Sequence, residues 1–297
     1  MDGAKLKLRP HSEKSARSVI DSQCSKCEQP ALNLRRLEEQ EVRSVTRVFF
    51  SAPWVALLGA LLLSLTGALQ QPPDVERLLT RIDDLYRSKS SIARIEIQVT
   101  NPRSTRSMRL KAWTRGEEEV LVVVEAPPRE EGTATLRVGQ NLWNYLPRIA
   151  RTIRVPPSAM LGSWMGTDFT NDDLVKESSL RKDFTSRVDR RSQAPAGWWV
   201  ALEVKPGVVG RWARIELLVS DDLLPVEERH FDRKGRLART MRFNEVKTLG
   251  GRRLPTLIVL TPADTEGQRT EMRYLEMQFN VQIPDDTFSL SRLEQKR

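Results

Sequence analysis

The sequence predicts a mainly β protein with a few helices (α+β), an antiparallel meander that curls into a barrel or half-barrel. Three observations carry that expectation. Apolar and polar residues alternate with period two over most of the chain beyond residue 90. The alternating runs are joined by short hairpin-like connections with no long helix between them. One amphipathic helix precedes the first run, with an apolar stripe that has to lie on something.

That helix is expected over Asp74–Tyr86. Val75, Leu78, Leu79, Ile82, Leu85 and Tyr86 recur at three- and four-residue spacing, and Glu76, Arg77, Arg81 and Asp84 occupy the other face. Pro72 and Pro73 end the chain before it, and Asp74 suits the N-terminal cap. Among the strands, Ile95, Ile97 and Val99 oppose Arg94, Glu96 and Gln98, while Ala213, Ile215, Leu217 and Val219 oppose Arg214 and Glu216. Such alternation makes a sheet with one wet face. The runs Val120–Val124 and Leu257–Leu260 are apolar throughout, so both are expected to be covered on two faces. Near Tyr274 and Leu275 the phase flips, from Met272 and Tyr274 to Leu275, Met277, Phe279 and Val281, which predicts a β-bulge. Turns are expected at Asp232–Gly235, Leu249–Arg252 and Ser220–Asp222. The stretch from Pro156 to Asp173 lacks alternation and reads as a long insertion of mixed loop and helix, a feature that often serves function.

Ahead of the helix, no charged residue occurs from Phe49 to Leu69, and Arg43 and Arg47 precede that run. Thr66-Gly67-Ala68 places small residues where a signal peptidase reads, so residues 45–68 are expected to be a signal peptide or an uncleaved signal anchor. Residues 1–44 are polar and without pattern, and read as disordered or as a mis-assigned extension, with translation starting near Val42 or Val45. Residues 69–297 then form the exported domain. Both cysteines, Cys24 and Cys27, lie in the leading segment, so the domain holds no disulfide. Cys24 and Cys27 lack a second ligand pair for zinc, His11 being the one nearby partner. The formal charge of +9 is dispersed, mostly as Arg beside Asp or Glu, without the like-charge blocks of a nucleic-acid arm. No nucleic-acid partner is expected.

Catalytic constellations are missing from the sequence pattern. The domain holds one histidine, His230, which reads as a surface or edge residue of a strand rather than a base. No Gly-x-Ser-x-Gly elbow and no Gly-rich phosphate loop is present. Asp168 to Asp173 carries hard oxygens but not the spacing of a calcium loop, and reads as a turn and helix cap. No enzyme activity, cofactor or metal is therefore expected. What remains is a tryptophan- and methionine-rich inventory, most of it core. Met160, Trp164, Met165 and Phe169 fall in the insertion, outside the alternating strands, where they make an adaptable apolar surface, and Trp164, Met165 and Phe169 are expected to form a movable rim over an apolar cavity.

Further residues support a family resemblance. Trp143-Asn-Tyr145-Leu-Pro147-Arg148, Ile153-Arg154-Val-Pro156, the stretch Gly162–Asp173 and the closing Asn280–Phe288 resemble the outer-membrane lipoprotein-sorting family, the periplasmic carriers related to LolA and LolB. The resemblance spans about Val75 to Leu293. It implies a curved antiparallel half-barrel closed by a few helices, whose concave side holds the acyl chains of a lipoprotein or lipid. It further implies periplasmic transport, in many such proteins as accessory to an inner-membrane exporter, and no catalytic residues. The candidate ligand-binding residues are accordingly Met160, Trp164, Met165, Phe169, Trp143 and Tyr145. A membrane-tethered interaction module with a filled core is the alternative; an enclosed cavity distinguishes the two.

Overall fold

A computed structural model describes residues 71–176, 180–208 and 210–294. The cysteines, the apolar segment and the readings made of residues 1–44 and 45–68 lie outside the described residues. Among those described, no helix is long and apolar enough to cross a membrane.

Among the described residues, the periodicity read from the sequence becomes a single sheet of 13 antiparallel strands. A first meander runs through β1 (Ser90–Asn101), β2 (Ser104–Arg115), β3 (Glu119–Ala126), β4 (Ala134–Val138), β5 (Asn141–Leu146) and β6 (Arg151–Arg154). A second runs through β7 (Phe184–Gln193), β8 (Ala196–Val204), β9 (Trp212–Ser220), β10 (Pro225–Asp232), β11 (Leu237–Leu249), β12 (Arg252–Pro262) and β13 (Arg269–Phe279). Pairing of β1 with β13 joins the two meanders, from Ser91 opposite Phe279 to Thr100 opposite Arg269. The edges are β6 and β7, and the curved sheet stays open between them. The expected half-barrel is the fold observed.

The bulge expected near Leu275 is present. Arg94 faces Glu276 and Ile95 faces Tyr274, which leaves Leu275 as the extra residue, 41% exposed. It keeps Met272 and Tyr274 on the same side as Met277, the concave side, although the sequence parity changes between them. The turn after β11 uses Gly250 and Gly251, both with positive φ. A Cβ on Gly250 would stand 2.6 Å from the Met277 carbonyl oxygen, so glycine meets both a backbone and a steric demand there. In the turn after β10, the Gly235 N–H donates to the Asp232 carbonyl at 2.9 Å.

Helix α1 (Val75–Tyr86) begins where Asp74 accepts from the N–H groups of Glu76 at 3.1 Å and Arg77 at 3.3 Å. Leu78 and Leu79 pack on Val200, Leu202, Ile215, Leu217 and Val219. Burying each such leucine stabilises by roughly 1.5–3 kcal/mol. Tyr86 stacks on Tyr274 with centroids 4.9 Å apart, and its hydroxyl donates to the Pro255 carbonyl at 2.9 Å. Between β6 and β7 lies the insertion, which contains the short helices α2 (Asn171–Lys176) and α3 (Leu180–Asp183).

On the convex side, the segment after β13 folds back over the first meander. Ile283, Phe288 and Leu293, the last in helix α4 (Leu290–Glu294), pack on Leu121, Val123, Ala134 and Leu136. The β3 run is thus covered twice, since Val122 and Val124 face the concave core. Leu257 to Leu260 departs from that expectation: Ile258 and Leu260 are buried, but Leu257 and Val259 are only half-buried. The closing segment packs against β3 and β4, and nothing comparable covers β12 among the described residues.

Candidate functional site

The concave side of the sheet is not packed solid. A cavity of about 230 Å³ lies between the sheet, α1 and the insertion, where a packed core tolerates few voids larger than a water molecule. Its sheet wall is mostly aliphatic and sulfur-bearing, with Ala93, Ile95, Leu110, Ala112, Val122, Met241, Ile258, Met272 and Met277. Ile82 and Tyr86 of α1 line another side, and Trp164, Phe169 and Leu174 of the insertion a third.

The insertion is held down by polar bonds to four strands. Residues Trp164 to Thr167 form a tight turn in which the Thr167 N–H donates to the Trp164 carbonyl at 2.9 Å and both Met165 and Gly166 have positive φ. This turn reverses the chain so that the Trp164 N–H donates to the Phe169 carbonyl at 2.8 Å. The Trp164 indole donates to Thr135 of β4 at 3.0 Å, and Thr135 donates on to Asn144 of β5 at 2.8 Å. Arg106 of β2 donates to the Met165 carbonyl and pairs with Glu130 at 3.2 Å. Thr270 of β13 donates to the Asp168 carboxylate at 2.7 Å. Helix α2 opens with a reciprocal cap: the Thr170 N–H donates to Asp173, and the Asp173 N–H donates to the Thr170 hydroxyl. The capping role expected of Asp168–Asp173 therefore falls to Thr170 and Asp173. Two buried arginines grip the same helix. Arg137 of β4 donates to the Leu174 carbonyl at 3.1 Å, and Arg239 of β11 makes a forked pair with Asp173 at 2.6 and 2.8 Å.

The cavity wall is polar where β10 and β11 face it, as it also is at Asp83, Arg87, Asp172 and Asp183. His230 and Arg239 are direct partners across these strands, and both are 5% exposed. The imidazole Nε2 stands 3.1 Å from Glu228. Trp212 meets His230 edge-on at 5.0 Å and carries the Arg239 guanidinium over its face at 4.5 Å. Burial pushes the His230 pKa down, and the charge of Arg239 adds to that against the pull of Glu228 and Asp173. Burial also works to raise Asp173, but Arg239 outweighs it and holds the carboxyl below its usual range. The surface or edge position expected for His230 is corrected by this. Strand β10 is interior to the sheet, and His230 points from it to the concave side.

Of the residues singled out in the sequence, Trp164 and Phe169 reach the cavity wall. Met165 packs half-buried against the same core cluster. Met160 does not line the cavity; its carbonyl accepts from the Asp172 N–H at 2.7 Å. Trp143 and Tyr145 lie on the other side of the sheet, in the cluster with Phe288 and Leu293. Neither can touch a ligand in the cavity, because β5 turns these two positions to the convex face. Trp164 is not an exposed rim either: at 2% exposure and with its indole N–H bonded, it is a packed wall. The polar group of His230, Arg239, Glu228 and Asp173 was missed, although Arg239 breaks the apolar parity of Leu237, Met241 and Phe243 on its strand.

An open, curved antiparallel sheet with an apolar cavity closed by a helix and an insertion defines the LolA-like class of half-barrels. Solved structures that share the fold include the following three. A DUF1329 family protein from Desulfovibrio piger superposes with a TM-score of 0.66 at 20% identity, over 73% of this chain and 96% of that one. A LolA superfamily protein from Nitrosomonas europaea gives 0.63 at 20% identity, over 74% and 100%. A domain described as an outer membrane lipoprotein-sorting protein, from Vibrio parahaemolyticus, gives 0.60 at 21% identity, over 75% and 100%. At these identities the likeness is one of fold. No curated protein matches the sequence. A family described as "uncharacterized protein-like" matches residues 116–295, more than half of the chain, and the chain belongs to that family.

Proposed function

We propose that the protein is a carrier that holds the acyl chains of a lipid or lipoprotein during transport across the periplasm. The observation that supports this most directly is the cavity itself, walled by Leu110, Val122, Met241, Ile258 and Met277. An interaction module stabilised only by its core gains nothing from such a gap, since each unfilled volume forfeits dispersion contacts. Methionine side chains in the wall adapt to chains of different shape. The reading is of a binding protein rather than an enzyme. Its place in the periplasm follows from the expected signal at residues 45–68, and an inner-membrane exporter is the partner that would load or unload it.

The test is lipid binding by the purified full chain. Organic extraction followed by mass spectrometry should recover co-purified lipid, and a phosphatidylcholine with a pyrene-labelled acyl chain should bind saturably. Ala112, 7% exposed, lines the cavity from β2. Ala112→Phe should abolish probe binding while circular dichroism shows the sheet intact. A protein free of lipid that also ignores the probe would be the interaction module instead.

A further inference from the structure

Two polar atoms in the cavity wall have no partner. His230 Nδ1 and Arg239 Nε are both buried and both without a hydrogen bond, which is uncommon for buried polar groups and calls for an explanation. They belong to residues that sit directly opposite each other on β10 and β11, a spacing of roughly 4.5–5.5 Å between Cβ atoms. Their remaining atoms are already committed. Both terminal nitrogens of Arg239 donate to Asp173, and the other imidazole nitrogen of His230 faces Glu228. A carboxylate only accepts, so the ring nitrogen facing Glu228 carries the proton. Burial and the Arg239 charge keep the imidazole neutral, and the free nitrogen therefore presents a lone pair. Arg239 Nε carries a hydrogen at any pH of interest. A free acceptor and a free donor thus belong to two directly paired residues that line a mostly apolar cavity.

We propose that this pair is the polar subsite of the cavity, and that it takes a neutral group able both to donate and to accept a hydrogen bond, a hydroxyl or a secondary amide attached to an alkyl chain. Such a group gives its O–H or N–H to His230 Nδ1 and takes the Arg239 Nε–H on its oxygen. An ester satisfies only the arginine, and an alkane neither. A carboxylate has no proton to give His230 Nδ1, and the acidic residues lining the cavity (Asp83, Asp172, Asp173, Asp183 and Glu228) outnumber its arginines (Arg87, Arg211 and Arg239). The subsite thus selects among amphiphiles of equal chain length, and it deepens the carrier reading on which it rests.

The experiment is displacement of pyrene-labelled phosphatidylcholine from the full chain by twelve-carbon competitors. Dodecanol and N-methyldodecanamide should compete on the order of tenfold better than methyl dodecanoate, dodecanoate or dodecane, since a site that leaves buried polar groups unpaired rejects the ligand. The ratio of dodecanol to N-methyldodecanamide separates a hydroxyl-bearing from an amide-bearing cargo. His230→Phe, which keeps an aromatic ring on β10, should compress the ratio of dodecanol to methyl dodecanoate towards one. Equal competition by all five ligands on the unaltered protein overturns the subsite while leaving the carrier reading in place. Failure of the probe to bind at all overturns both.

Discussion

The two halves of the sheet solve the same problem differently. In the first meander, β3 and β4 are packed on both faces: Val122 and Val124 inward, Leu121, Val123 and Leu136 outward under Ile283, Phe288 and Leu293. In the second, β8 and β9 are covered on the concave side by α1, but no segment covers their convex side among the described residues. There Trp199 is 8% exposed between the guanidinium groups of Arg190 at 4.8 Å and Arg229 at 4.5 Å. Arg229 and Arg242 in turn both donate to Glu227, at 2.6 and 3.2 Å. A tryptophan on the outer face is thus shielded by apolar chain in one half, as Trp143 is, and by ion-paired arginines in the other. The difference teaches that long cationic side chains can stand in for a covering layer, because their stems and planar heads bury aromatic surface while staying hydrated.

This contrast can be broken at several points. The largest effect belongs to the doubly covered half. Trp164→Ala should destabilise by about 3–5 kcal/mol, since it empties the concave side over β4 and leaves Thr135 without its donor. Phe288→Ala should cost a comparable ~3–5 kcal/mol on the convex side of the same strands. Urea denaturation measures both, and a loss under 1 kcal/mol for Trp164→Ala would restore the idea of a rim.

Acidification probes the second half. The folded pKa of His230 is lowered from 6.5 and that of Asp173 from 3.8. Below about pH 6.5 the unfolded chain binds a proton that the buried imidazole refuses, so stability falls with pH there; Asp173 adds a second loss below pH 3.8. The urea midpoint should therefore drop between pH 7.5 and 5, and His230→Phe should flatten that slope. An unchanged slope in the variant would show that His230 is not held neutral. The smallest effect is expected at the convex arginines. Arg229→Ala should cost about 0.5–1 kcal/mol and redshift the tryptophan emission as Trp199 is wetted.

Much of this architecture was legible in the residues, and the reason is periodicity. The stripe from Val75 to Tyr86 placed α1, and the parity change after Tyr274 placed the bulge at Leu275. What alternation does not carry is which face is which. Trp143 and Tyr145 share one face and Asn144 the other, but only the pairing of β4 with β5 turns the tryptophan outward. The insertion was recognised by its lack of alternation, yet the positive φ of Met165, which turns Trp164 into the core, leaves no compositional trace beyond Gly166. The pairing of His230 with Arg239 was hidden for a similar reason. It depends on a register shift between His230 and Phe231 that a single strand does not reveal.

The junction of β1 with β13 also has a bearing on how the chain reaches this state. Every other strand pairs with a neighbour in sequence through a hairpin, whereas Ser91 must find Phe279 across nearly the whole domain. Closing so long a loop is entropically costly and slow compared with hairpin formation. The two meanders should accordingly gain order as separate units, with their union as the late event. The cavity, which draws Ile95 from β1 and Met272 and Met277 from β13, exists only once that union is made. The cavity is therefore completed by the final step of folding, and a half-assembled chain lacks it.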